Sequence, residues 1–269
     1  MAAFLVPNSR RKQNLKSVSA TMAISVDKVN LETILPLRAL FLQEANRQIR
    51  YNACHERGWS DSYLLTIDDH AVGYGSVKGR EIPDRDTIFE FFVIPPSRKF
   101  VAELFRRLLD TVRPRFIECQ SNIPLLSTLL YGFARNVSAD VVLFEDHCVT
   151  DLAVPEALLR PKRASDQIFP HAAEPVGEYV LELGGEVLAT GGFLLHYNHP
   201  FADLYMEVRE DCRRQGLGSF LLQEVKRECY LAGRVPAARS SIVNIGSHAA
   251  LCRAGLRVSG FMLTGEVNY

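Results

Sequence analysis

The residues of this chain best suited to chemistry stand together in the run Val208-Arg-Glu-Asp-Cys-Arg213-Arg214-Gln215-Gly216-Leu217-Gly218-Ser219. A stretch with strand alternation, 202–209, leads into it, and a stretch with helical spacing, 219–232, leads out. A basic, glycine-containing turn between strand and helix is an anion cradle. The first backbone N–H groups of the helix have no intrahelical acceptor, and the helix dipole adds about half a positive charge at the same place. Gly216 and Gly218 allow the backbone to approach a phosphate, and Arg213 and Arg214 can donate charge-assisted hydrogen bonds to it. No Gly-Lys-Ser/Thr follows the glycines, so this is not a P-loop. The third glycine of a dinucleotide fingerprint is also missing.

A second block lies downstream: Ser240-Ser-Ile-Val-Asn244-Ile-Gly-Ser247, a short helical stretch through Leu251, then Gly255-Leu256 and Gly260-Phe261. Arg213-x-x-Gly216-x-Gly218 followed by strand, Asn244-x-x-Ser247, short helix and final strand resembles the GNAT superfamily of N-acetyltransferases over roughly residues 178–267. Leu256 stands where that family usually has Phe. The resemblance implies acetyl-CoA, or another acyl-CoA, as co-substrate and no metal. It implies that residues 213–219 hold the pyrophosphate, that Val208 offers backbone contacts to the pantetheine arm, and that Asn244, Ser247 and their helix line that arm. Asn244 also suits a helix N-cap, and the two roles are compatible.

The family transfers the acyl group directly to an amine, with a carboxylate as base. Alternation puts Asp203, Tyr205 and Glu207 on one strand face and Leu204, Met206 and Val208 on the other. Glu207 is the first candidate base, with Glu178, Glu182 and Asp203 behind it. Many members carry, seven residues after the Asn, a Tyr that protonates the leaving thiolate. Here that residue is Leu251, and the adjacent Cys252 is expected in the core; Tyr197 and Tyr205 are alternative donors. The implied activity is acyl transfer to a primary amine of a small molecule or peptide. A non-catalytic acyl-CoA sensor or scaffold is the alternative, and a tRNA-directed acetyltransferase is a third reading.

Composition narrows these readings. Lys+Arg and Asp+Glu both number 31 in 269 residues, which leaves no global basic field for nucleic acid, although Arg106, Arg107, Arg113 and Arg115 form a local basic group. No apolar run approaches the length of a membrane span. The 6 cysteines form no metal-type spacing. Together with the lack of a secretory signal, they point to a reducing, cytoplasmic setting. His196 and His199 are expected as solvated loop residues. The basic, serine-bearing start reads as an extension over 1–26, either disordered or preceding a true start at Met22, with an organelle transit peptide as a further reading.

The elements that must position the site read as an α/β protein with a mixed central sheet flanked by helices, built from two GNAT-like units in tandem: 27–147, degenerate, and 148–269, binding the co-substrate. The first unit shows helix 31–48, a hairpin turning at Asp68–Asp69, strand 87–94, helix 97–112, strand 115–120, helix 123–133 and strand 141–144. Laying Val93 on Val208 puts Arg98 on Arg213, and Val101 and Glu103 on Gly216 and Gly218. A β-branched residue and an anion there oppose phosphate binding; one repulsion at about 4 Å is worth roughly 4 kcal/mol at an effective dielectric near 20. The first unit is therefore expected to bind no CoA. Prolines 155, 161, 170 and 175 leave the front of the second unit short of helix, so the first unit is expected to border the acceptor pocket.

Overall fold

The computed structural model describes residues 22–48, 51–172 and 175–269. The first half runs β1 (Ile24–Val29), α1 (Leu31–Ala45), α2 (Tyr51–Glu56), β2 (Ser60–Ile67), β3 (His70–Lys78), β4 (Thr87–Val93), α3 (Val101–Val112), β5 (Phe116–Gln120), α4 (Pro124–Phe133) and β6 (Ala134–Asp146). The second runs β7 (Leu158–Pro161), β8 (Tyr179–Leu183), β9 (Glu186–Leu194), β10 (Phe201–Val208), α5 (Leu217–Leu231), β11 (Val235–Ser241), α6 (Ile245–Arg253) and β12 (Leu256–Val267). The plan is the same twice, except that no helix separates β7 from β8 among the described residues.

Local chemistry accounts for these elements. Asn30 caps α1 by accepting the Thr33 N–H at 3.2 Å. In α3, Leu104, Phe105, Leu108 and Leu109 make one buried stripe. Asp68 and Asp69, both at positive φ, close the β2–β3 hairpin in two residues, as Gly184 and Gly185 close β8–β9.

Among the described residues, all twelve strands form one sheet in the order β1-β2-β3-β4-β5-β12-β6-β11-β10-β9-β8-β7. The two halves are thus arranged head to head, and their last strands are exchanged. β12 pairs with β5 of the first half, β6 pairs with β11 of the second, and the two cross as neighbours at the centre. The cores follow the exchange. Leu263 and Val267 of β12 pack in the first-half core with Leu104, Phe105 and Leu130. Val142 and Phe144 of β6 pack in the second-half core with Leu221 and Val225.

Two expectations need correction here. β1 begins at Ile24 and pairs Ile24 with Ile67 and Val26 with Leu65, so residues 24–26 belong to the sheet and not to an extension; residues 1–21 lie outside the described residues. The strand read at 141–144 is 13 residues long. Along β12 its polar front exposes Arg135 and Asn136 together and alternates in exposure only from Asn136 to Val141.

One buried polar group is central to the first half. Glu90, on β4 and 1% exposed, accepts from Arg38 Nε at 3.0 Å and Nη2 at 3.1 Å, and from Tyr74 Oη at 2.9 Å. His55 Nε2 lies 3.1 Å away. Burial alone raises the Glu90 carboxyl, but the Arg38 and His55 contacts outweigh it and hold the pKa at about 2.

Candidate active site

β10 and β11 run parallel and pair only from Phe201↔Val235 to Asp203↔Ala237. Beyond Asp203 they part. On its other side β10 stays paired with β9 through Val208, and the Arg209 N–H continues to Leu188 C=O at 2.9 Å. Antiparallel alternation therefore turns the backbone N–H and C=O groups of Met206 and Val208 into the gap. The first half repeats this splay, with β4 and β5 paired only at Thr87↔Phe116 and Ile88↔Ile117.

Helix α5 starts at the end of the gap. Gly216 is its N-cap residue at φ +84 and contributes no side-chain cap, so the first-turn N–H groups point outward uncapped. A Cβ on Gly216 would meet nothing within 4 Å, so its requirement is the left-handed φ and not space. Gly218 is different: a Cβ there would lie 3.1 Å from Met206 Cε and 3.3 Å from Val208 Cγ2, so glycine lets α5 settle on β10. A cavity of about 620 Å3 opens here, lined by Met206–Val208, Cys212–Arg214, Gly216–Ser219, Asn244, Gly246, Ser247, Ala249, Ala250 and Arg253. Of the residues singled out in the sequence, the structure brings Glu207, Val208, Arg213, Arg214, Gly216, Leu217, Gly218, Ser219, Asn244 and Ser247 to this one cavity; Gln215 is exposed beside it.

Arg213 does more than carry charge. Its Nε donates to Val208 C=O at 3.1 Å, fixing the strand end to the turn. Arg98 Nε donates to Val93 C=O at 3.1 Å in the same way, which supports laying Val93 on Val208. The helices then fall out of step. α3 begins eight residues after Val93 and α5 nine after Val208, so Phe100 and Ala102 stand opposite Gly216 and Gly218, in place of the expected Val101 and Glu103. Phe100 is at φ −101, and Arg98 is paired with Glu44.

Asn244 caps α6, accepting the Ser247 N–H at 3.0 Å through Oδ1. Asn244 is exposed and lines the cavity. Leu251 is 4% exposed and lies in the second-half core. Cys252, expected in the core, is exposed instead, because one helical step turns it out to solvent. Tyr197 is 1% exposed. Burial and the nearby Glu178 raise the Tyr205 hydroxyl.

Glu207 accepts the Ala172 N–H through both oxygens, at 3.0 and 3.2 Å, and lies 3.9 Å from Arg213 Nη2. Its neighbour across the strands, Thr190, has its Oγ1 2.6 Å from His171 Nε2, while His171 Nδ1 donates to Phe169 C=O at 2.9 Å. The proline-rich segment before β8 thus lies on the β9–β10 face that helices would otherwise cover. His171 was missed in the sequence because nothing local to Pro170-His171 links it to Thr190. Of the other candidate carboxylates, Glu182 is engaged by Arg160, and Asp203 by His196 Nε2 at 3.2 Å and Arg239 Nε at 3.4 Å, while Glu178 is exposed. His196 is thereby mostly buried and not the solvated loop residue expected. Among the described residues no group of three or more His, Cys, Asp and Glu is placed to hold a metal ion, and no helix is long and apolar enough to cross a membrane.

The sequence model of the Acetyltransferase (GNAT) family matches residues 147–248. No curated protein matches the chain. Among solved structures, an acetyltransferase of the GNAT family from Colwellia psychrerythraea is similar over 91% of this chain and 100% of its own, at 12% identity and a TM-score of 0.71. A tandem GNAT protein from the clavulanic acid biosynthesis pathway is similar over 92% and 99%, at 12% identity and a TM-score of 0.54. A Drosophila protein is similar over 90% and 98%, at 15% identity and a TM-score of 0.53. Residues 147–248 thus match the Acetyltransferase (GNAT) family, in a chain whose overall fold is that of solved GNAT proteins, a tandem one among them.

Proposed function

We propose that the protein is an acyl-CoA-dependent N-acyltransferase that uses acetyl-CoA and acylates a primary amine of a small molecule or peptide. The observation that carries this reading is the continuous cavity from the uncapped start of α5 to the parted edge of β10. In it, residues 213–219 would hold the pyrophosphate, and the backbone groups of Met206 and the Val208 N–H, with Asn244, would hold the pantetheine amides. The bound co-substrate supplies an acyl thioester.

Holding both reactants in place can contribute roughly 7–11 kcal/mol, so no covalent acyl-enzyme is required. The amine must be neutral; for a lysine-like group near 10.4 this costs about 4–5 kcal/mol at pH 7. Glu207 takes the proton, directly or through water, as the amine nitrogen bonds to the acyl carbon and the C–S bond breaks. A carboxylate has about four lone-pair sites, so the Ala172 N–H leaves Glu207 able to accept. The thiolate, near pKa 8.5, leaves as such or takes a proton from water.

Leu251, buried where a tyrosine donor would stand, favours a second reading, a non-catalytic acyl-CoA-binding module. Calorimetric titration with CoA and acetyl-CoA, followed by thiol release over an amine panel, tests both. Saturable binding with amine-dependent thiol release supports the enzyme, binding without release supports the module, and no binding rejects both.

A further inference from the structure

The β9–β10 loop, 195–200, leaves the second half and docks on the first. Asn198, 2% exposed, accepts the Asn52 N–H at 3.2 Å through Oδ1, which also lies 3.5 Å from Arg38 Nη2. Its Nδ2 donates to Arg47 C=O at 3.3 Å, and Asn46 Nδ2 donates to His199 C=O at 2.7 Å. The ion pair between Arg38 and Glu90 stands behind Asn198. A buried polar chain thus runs from β4 of the first half into a loop of the second.

The same loop delivers His196 to Asp203, the residue at which β10 and β11 part. Three buried side-chain atoms on this seam have no hydrogen-bond partner among the described residues: Asn46 Oδ1, Arg47 Nε and His196 Nε2, the last close to Asp203 but outside hydrogen-bond geometry. Folded proteins satisfy buried polar groups. Open donors and an open acceptor, contributed by both halves along the 195–200 loop, give a polar ligand groups to meet next to the paired end of β10 and β11. The charges give its sign. Glu90 is met by Arg38, and Asp203 by Arg239, whereas Arg47 forms no ion pair among the described residues. Glu56, held by Asn52, is the nearby acid, and it is solvent-exposed.

Resting on the acyl-transfer reading above, we propose that this seam is the acceptor subsite and that the acceptor is an amine that also carries a carboxylate. Arg47 pairs with that carboxylate, and Asn198 is a positioning residue that holds the two walls in register. The test is thiol release from acetyl-CoA by the full chain, with L-lysine against cadaverine and L-phenylalanine against phenethylamine. The carboxylate-bearing member of at least one pair is expected to show about tenfold or greater advantage in kcat/KM, the scale of one well-made charged contact. Arg47→Ala removes that advantage and Arg47→Lys keeps part of it, while acetyl-CoA binding by calorimetry is unchanged in both. Asn198→Ala raises the acceptor KM with little change in kcat. Equal or better turnover of the decarboxylated amines overturns the proposal, as does an advantage that survives Arg47→Ala. Failure of every amine, with or without acetyl-CoA binding, instead counts against the acyl-transfer reading.

Discussion

Glu90→Gln should be among the most damaging single changes in the first half. The carboxylate sits at about 2 against an ordinary 4.5. At about 1.36 kcal/mol per unit, that displacement corresponds to about 3 kcal/mol of folding stability. Glutamine keeps the shape but leaves Arg38, at 6% exposure, as a buried unpaired cation, and breaking a buried pair in this way costs about 3–5 kcal/mol. The pH dependence has a definite sign. The folded pKa is below the unfolded one, so the stabilisation is fully present above about 4.5 and disappears as pH falls towards about 2. Urea unfolding at neutral pH should show the whole loss in the variant. Repeated down the acid limb, it should show a shallower decline than in the natural protein, because this proton-linked contribution is gone. A variant within about 1 kcal/mol of the natural protein at neutral pH, or one with the same acid limb, would refute the reasoning.

Three further outcomes are expected. Gly216→Ala forces a Cβ into the left-handed region at φ +84 without any clash, costing roughly 1–2 kcal/mol; calorimetry should show acetyl-CoA binding weakened by a comparable free energy, and unchanged binding would remove the turn from the cradle. Glu207→Gln should flatten the rise of kcat/KM with pH, and an unaltered profile rejects Glu207 as the base. Deleting residues 1–145 removes β6 from between β11 and β12, so the remainder should lack a cooperative unfolding transition by circular dichroism. A fragment that folds and transfers acyl groups normally would show that the first half is dispensable.

The parts of the site written in local sequence were legible there. The strand and helix around Gly216 lie within two residues of their expected bounds, because alternation, arginines and glycines all point to the same turn. Asn244 was legible as a cap for the same reason. What depended on distant partners was not. The exchange of β6 and β12 rests on pairings between chain segments far apart in sequence, and neither strand carries a mark of its partner. The slip that puts Phe100 opposite Gly216 is one residue of loop length, invisible while only Val93 and Arg98 anchor the comparison. Glu90 did leave a sign, a single acid within Ile88-Phe-Glu-Phe-Phe. A charge in an otherwise apolar buried strand requires a counter-charge, although Arg38, supplied by α1, could not be chosen from sequence.

The crossing of β6 and β12 also bears on synthesis. As the polypeptide leaves the ribosome, β5 emerges with a bare edge whose rightful neighbour, β12, is made only after β6 to β11. Until then that edge can recruit a strand from another nascent molecule. Expression at lower temperature, or with chaperones that shield unpaired edges, should therefore raise the yield of folded protein over entangled aggregates.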